Sequence, residues 1–491
     1  MLTILKNATI VTIDPHRRVL SDAAIVLRDD RIEAIEATTE VERLYAGQAA
    51  EVIDCRDRMI LPGIVDAHSH AGHCMFTALG YSTPSRWMPI MTKLYHHNTT
   101  DRFWYREARL AALTRLSAGI TTGVSMVTNC GRADDVSIFE RIAAGYHNVG
   151  LRGIVAVGPN NPPFPRTMTR VDEDGRKYTT EISFERMLEV TDETVAKLHH
   201  SYNDTIRAFT APFVLVTSVE GSEPTPPELA AQLTDHDRVM MTAIREIARD
   251  RKTRIHTEAF GGMVRLAAQH KDALLGPDVH LQHCMGISLE EAKILADTGT
   301  HVTTTPHEQQ FIYACPVPEL MTMGANVAVS SDGTGPASPF DLFRGARNLQ
   351  LVHRGRLRDK YLFPIGTLLE MITINAAKAI GWDDEIGSLE VGKKADLITI
   401  DLTRPYLNPR IQLLHKLFIF GNGGDVNDVM VNGTWVIRDR VAQLADGREI
   451  MAEADQEARE TIARAGAERH IAPESTFWGG VRREFDEPVV V

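Results

Sequence analysis

This chain is short of three things. Among its 491 residues no apolar run approaches the roughly 20 residues that cross a bilayer, so no membrane span is expected. It has five cysteines, Cys55, Cys74, Cys130, Cys284 and Cys315, odd in number, scattered and without CxxC spacing. That pattern suits a reducing cytoplasm. Positive charge is also in deficit: 53 Lys and Arg face 65 Asp and Glu, a formal net charge of −12. Such a balance argues against nucleic acid or an anionic membrane as a general partner. The start, Met1 through Ile10, alternates like a strand and lacks the apolar core and cleavage site of a signal peptide. What remains is an ordinary globular composition, 43% apolar and 24% charged, with no internal repeat or low-complexity tract.

What the chain does have is a change of rhythm. Residues 1–57 break into short strands with turn signals such as Asp14-Pro15 and Arg28-Asp29-Asp30-Arg31. From Met59 onward, strand and helix alternate. Strands are read at 59–65, 120–124, 151–157, 212–217, 253–255, 279–282, 301–305 and 325–329. Helices are read at 102–117, from Pro226 onward, and after the capping box Ser288-x-x-Glu291, with Gly299 as its stop. Eight such units favour an α/β protein built on a TIM-like (β/α)8 barrel. After Asp384 short strands return, among them a hairpin around Asn432-Gly433. The expected organisation is a composite β domain from 1–57 and 385–441, a catalytic barrel at 58–384, and a C-terminal extension at 442–491. The extension comprises a charged helix at 449–469 and a tail carrying Phe477, Trp478 and Phe485, expected to dock on the body or on a partner subunit. The 158–183 segment, rich in proline and then in charge, is expected to be a loop at the catalytic face, in the position of a lid.

The candidate site follows from where the polar residues fall. Asp66-Ala67-His68-Ser69-His70 ends the first apolar run. Residues two apart in a strand share a face, so His68 and His70 project together as half of a metal site. His256, with Glu258 two residues on, ends the fifth strand; His283 ends the sixth; Ser331-Asp332-Gly333 follows the eighth. A parallel barrel carries its chemistry at that end of its strands. His73, Trp87 in the first long loop, and His307 after the seventh strand are candidates for substrate contact, the indole by stacking on a planar ring. Cys284, beside His283, reads as a buried structural thiol.

These strings resemble the amidohydrolase superfamily, nearest to its cytosine, guanine and S-adenosylhomocysteine deaminases and its triazine hydrolases. The resemblance runs over about residues 1–440, through Leu61-Pro62-Gly63-Ile64-Val65-Asp66-Ala67-His68-Ser69-His70, Gly119-Ile120-Thr121-Thr122, His256, His283, Ser331-Asp332-Gly333, Asn375-Ala376-Ala377-Lys378-Ala379 and Ile386-Gly387-Ser388 to Ala395-Asp396-Leu397. It implies that the β domain is a sandwich and that His68, His70, His256 and Asp332 bind a divalent metal, zinc or iron. His283 then contacts the water or the substrate. The stretch 213–220 lacks the lysine that bridges two metals in relatives, so one metal per chain is expected. Deaminases of this kind carry a glutamate three residues after the fifth-strand histidine; here that place is Ala259, and the glutamate is Glu258. The implied activity is hydrolysis of a C–N bond in a small nitrogen heterocycle by metal-activated water. His283, Asp332 and Glu258 would be catalytic, and ammonia or an amine would leave. Dehalogenation or cyclic-amide opening stays open, as does a non-enzymatic scaffold of the same fold. The family habit is a homo-oligomer.

Overall fold

The computed structural model describes residues 1–79, 87–127, 132–219, 232–306, 313–335 and 338–471. Two sheets organise it. The first has nine strands and draws on both chain ends. Leu2–Val11 pairs antiparallel with Val19–Arg28 and parallel with Glu51–Asp54 and Arg58–Pro62. Arg58–Pro62 pairs in turn with Leu397–Asp401, which leads to Val426–Val431 and Thr434–Arg438.

The second sheet holds eight parallel strands in sequence order: Ile64–Asp66, Ile120–Met126, Arg152–Val157, Ile206–Thr210, Ile255–Phe260, Val279–Met285, His301–Thr304 and Val327–Val329. A parallel bridge between Ser69 and Asp332 joins the first strand's extension to the last, so the sheet curls into the expected barrel. Its strands are buried along nearly their whole length because helices cover the outer face. Local signals place those helices. Thr100 caps Asp101–Ser117, Thr234 and Asp237 form a capping box on Asp235–Arg251, and Ser288 with Glu291 opens Leu289–Thr298, which Gly299 closes in the left-handed region.

The apolar run 59–65, read from sequence as one strand, is two. Gly63 N–H donates to Asp396 of the first sheet, and the next amide, Ile64, donates to Gly119 of the barrel. The chain changes sheets between them. Hydropathy does not register the change, because both halves are buried. A Cβ on Gly63 would lie 2.2 Å from Thr121 Oγ1 and 2.8 Å from its Cβ. Gly63→Ala should therefore cost about 1–3 kcal/mol, the scale of an overpacked core. An unchanged urea midpoint and slope would count against this crossing being tight.

The fourth barrel strand is Ile206–Thr210, not 212–217. The apolar stretch after Pro212 misleads because it is buried without being a ladder strand. Val214 makes a single bridge to Glu258, and Leu215 N–H donates to the Glu258 carbonyl. The segment thus rides on the end of the fifth strand. The helix expected from Pro226 begins at Asp235; residues 220–231 lie outside the described residues. The 158–183 segment contains a hairpin, Arg166–Val171 with Lys177–Ile182. Lys177 reaches Asn98 Oδ1 at 2.8 Å and Arg170 reaches Asp101 at 2.8 Å, tying the hairpin to the start of the Asp101–Ser117 helix. The C-terminal helix, Gly447–Ala465, packs on the same helix through Arg102 and Arg106 against Glu457 and Arg109 against Glu453. Phe477, Trp478 and Phe485 lie outside the described residues. Among those described, no helix is long and apolar enough to cross a membrane.

Candidate active site

The barrel's C-terminal end gathers the polar residues that the sequence placed at its strand ends. His68 and His70 follow the first strand, and the bridge through Ser69 fixes them against Asp332. His70 Nε2 lies 3.1 Å from Asp332 Oδ1 and 3.2 Å from Glu258 Oε1. His68 Nε2 lies 3.4 Å from Asp332 Oδ1. His256 and Glu258 alternate on one strand and face the interior together. His283 Nε2 stands 3.9 Å from Asp332 Oδ2 and 4.0 Å from Glu258 Oε2.

His256 is engaged differently. Its Nδ1 faces the His280 carbonyl at 3.1 Å, and a carbonyl only accepts, so Nδ1 carries the proton. That leaves a lone pair on His256 Nε2, which sits 2.7 Å from His68 Nδ1. His68 Nδ1–H donates to it, and the His68 lone pair falls on Nε2. This atom is buried, has no hydrogen-bond partner and faces the cluster. His280 supports the arrangement from below: its ring stacks on His256 with centroids 4.0 Å apart, and its Nε2–H donates to the Ala67 carbonyl at 3.0 Å.

Burial holds His256 down to about 3 and His68 well below its ordinary value, so both stay neutral, the form that ligates metal. At His70 burial also pulls downward, but hydrogen bonds and charge from Asp332 and Glu258 outweigh it, and the imidazole is raised to about 10. The proton on His70 stands where two carboxylates call for a cation. Neutral imidazoles, an orphaned ring nitrogen and paired carboxylates together fit a divalent metal. Two overlapping groups have ligand atoms within 4.8 Å of one another: His68, His70 and Asp332, and His68, Glu258 and His283. Neither includes His256, whose Nε2 is taken by His68.

Two backbone features aim these groups. His283 and Cys284 lie in the left-handed region, with φ of 70° and 47°. The register against the fifth strand slips there: Ala259 opposes His283, while Phe260 opposes Met285. This bulge turns His283 toward the interior, the side Gln282 already faces. Asp332 also has positive φ, 62°, and Asp332 N–H donates to the His68 carbonyl. Strain of this kind, about 1–3 kcal/mol per residue, persists where surrounding contacts over-determine it.

Of the substrate candidates, His73 sits on the 3-10 turn His73–Phe76, its ring 5.1 Å from His70 and stacked on Tyr95. Burial lowers it to about 3. Trp87 begins the helix Trp87–Met91, and its side chain and His307 lie outside the described residues. Ile206–Thr210 and residues 213–219 contain no lysine. Three further residues belong to the site's surroundings. Asp66 takes hydrogen bonds from Ser331 N–H at 2.9 Å and Ser331 Oγ at 2.6 Å, with Arg115 3.6 Å away. Its sequence signal is an aspartate directly after an apolar run. His280 and Gln282 are the others, and alternation along 279–283 points both inward.

Residues 59–436 match the profile of the amidohydrolase family. The chain belongs to that family. It is 26% identical over 459 residues to the 5-methylthioadenosine/S-adenosylhomocysteine deaminase of Syntrophobacter fumaroxidans, covering 91% of this chain and 95% of the relative. It is 24% identical over 481 residues to the 5'-deoxyadenosine deaminase of Methanosarcina mazei, covering 94% and 99%. Among solved structures, an adenosine deaminase from Xanthomonas campestris with bound zinc superposes with a TM-score of 0.77 at 20% identity, covering 94% of this chain and 98% of that one. The zinc complex of atrazine chlorohydrolase from Arthrobacter aurescens TC1 gives 0.74 at 20% identity, covering 93% and 100%.

Proposed function

We propose that the protein is a metal-dependent aminohydrolase that replaces the exocyclic amine of a nitrogen heterocycle, an adenine nucleoside or a close analogue, with oxygen. The carrying observation is the convergence of the His68, His70 and Asp332 donors with two further groups, Glu258 and His283, that can move or hold protons at the same point. The names of relatives matched over more than nine-tenths of the chain support the ring type.

His68, His70 and Asp332 would hold one divalent ion, zinc or iron, with His256 as fourth donor once its Nε2 lone pair turns from His68 Nδ1–H to the ion. Bound there, such an ion supplies acidity, lowering the pKa of water toward about 7. Asp332 accepts the proton that the attacking water gives up. Glu258, protonated, donates to the ring nitrogen next to the carbon under attack and makes that carbon electrophilic. His283 donates a hydrogen bond to the oxygen on which charge develops. The water oxygen adds to the carbon, the C–N bond breaks, ammonia leaves with the proton that Asp332 took, and the proton left on the added oxygen passes to Glu258, restoring the acid and leaving a carbonyl beside the protonated ring nitrogen.

The displaced glutamate, with Ala259 in the usual place, favours a second reading in which a better leaving group needs less protonation. Ammonia release across adenosine, 5'-deoxyadenosine, S-adenosylhomocysteine, pyrimidines, pterins and triazines separates the two. Ammonia from an adenine nucleoside is expected. Chloride or alkylamine release from triazines, with no ammonia from any ring, would replace the first reading with the second. Inertness toward all of them would leave a scaffold. Elemental analysis of the loaded protein should give about one metal per chain, and a value near two would contradict the single-metal reading.

A further inference from the structure

We infer that Gln282 is a positioning residue that fixes the tautomer of His283, so that His283 presents an Nε2–H donor, and not a lone pair, to the reacting centre. The inference rests on the reading above that His283 contacts the attacking oxygen. In a regular strand these neighbours would point to opposite faces. The left-handed bulge at His283 and Cys284 brings both inside instead, and Gln282 Nε2 lies 3.4 Å from His283 Nδ1.

What matters is which end of the Gln282 amide faces His283. Gln282 is fully buried and its amide is held from three sides. Thr303 Oγ1 lies 2.6 Å from Oε1, Ser330 Oγ lies 2.9 Å from Oε1, and Nε2 lies 2.9 Å from Thr305 Oγ1. The 2.6 Å contact decides the orientation. It sits within the usual range for O–H···O, about 2.5–3.0 Å, and below that for N–H···O, about 2.7–3.2 Å. The amide oxygen therefore faces Thr303. Thr305 and Ser330, 2.9 Å apart, close the ring, with Ser330 Oγ–H given to Gln282 Oε1. One amide proton goes to Thr305, and the other is directed at His283 Nδ1.

A donor facing Nδ1 requires the lone pair there, so the proton of neutral His283 resides on Nε2. That nitrogen is the one nearest Glu258 and Asp332. The consequence is selective. His283 lies in a group that could ligate metal through Nε2, but an Nε2–H cannot ligate. Gln282 thus reserves His283 for the oxygen that gains charge and leaves the ion to His68, His70, Asp332 and His256.

The test is the nitrogen spectrum of protein labelled with 15N-histidine and loaded with zinc, with the His283 signal assigned by its loss in His283→Asn. Wild type should show a protonated Nε2 and an unprotonated Nδ1. Gln282→Glu places an acceptor against Nδ1 and should move the proton to that nitrogen. Gln282→Leu should lower kcat about 10–100-fold, the usual effect of losing such a partner, with KM and metal content little changed. A wild-type spectrum with Nδ1 protonated, or Nε2 bound to zinc, overturns the inference without any variant being made. So does an unaltered kcat in a folded, metal-loaded Gln282→Leu. Failure of the ammonia assays would overturn the functional reading while leaving the tautomer result to stand.

Discussion

His256→Ala is expected to yield protein without tightly bound metal and without turnover, whereas His283→Ala keeps its metal and loses turnover. The one lone pair of His256, on Nε2, accepts from His68 Nδ1–H at 2.7 Å, and as fourth donor His256 would turn that same lone pair to the ion. Its removal therefore costs the ligand, and in the metal-free protein it strands a buried His68 N–H, a loss of about 1–3 kcal/mol. His283 Nε2 lies 3.9 Å from Asp332 Oδ2, and with an Nε2–H there it would give the ion no lone pair. Elemental analysis after gel filtration, alongside chelator competition, checks both variants. If His256 only supports His68, affinity should fall about 10–100-fold while the loaded variant still turns over. That result would remove His256 from the ligand set.

The second large effect concerns Glu258. Glu258→Gln keeps the shape but removes the acid. It should lower kcat at least about 100-fold, the scale of a general acid, while metal content holds. Glu258 Oε1 is 3.2 Å from His70 Nε2, so a second role is open to it: orienting His70 alone. In that case the variant would bind metal more weakly, and turnover per loaded site would stay near normal. Measuring kcat per bound metal separates the outcomes, and near-normal turnover would end the proton-shuttle assignment. The defect should be largest on rings whose nitrogen must be protonated and smaller on substrates with a good leaving group.

The barrel, and the strand ends where the candidate site gathers, are legible because two periodicities carry them. Strand ends could be located from apolar runs, and His68, His70, His256, Glu258, His283 and Asp332 sit at or just past those ends. What escaped was local geometry. Hydropathy cannot show a strand changing partners at Gly63, since Leu61 and Val65 are equally buried on either side. It favoured 212–217 over Ile206–Thr210, because the true strand carries Arg207 while the loop after it is apolar. Alternation by itself would set Gln282 and His283 on opposite faces, and only the bulge unites them. The engagement of His256 by His68 depends on ring rotation, which no spacing rule encodes.

The pairing of Ser69 with Asp332 has a consequence for biosynthesis. The residues that close the cylinder are neighbours of those that would grip the ion, and they come from its first and last staves. A chain emerging from the ribosome carries His68 and His70 long before Asp332 exists, and a loop of more than 250 residues must close before the three can meet. Metal capture at these residues would therefore be a late event, open only to a chain whose eighth stave has been made and seated. An ion held at that seam would act as a clasp, linking the earliest and latest parts of the barrel and distinguishing a finished molecule from a truncated one.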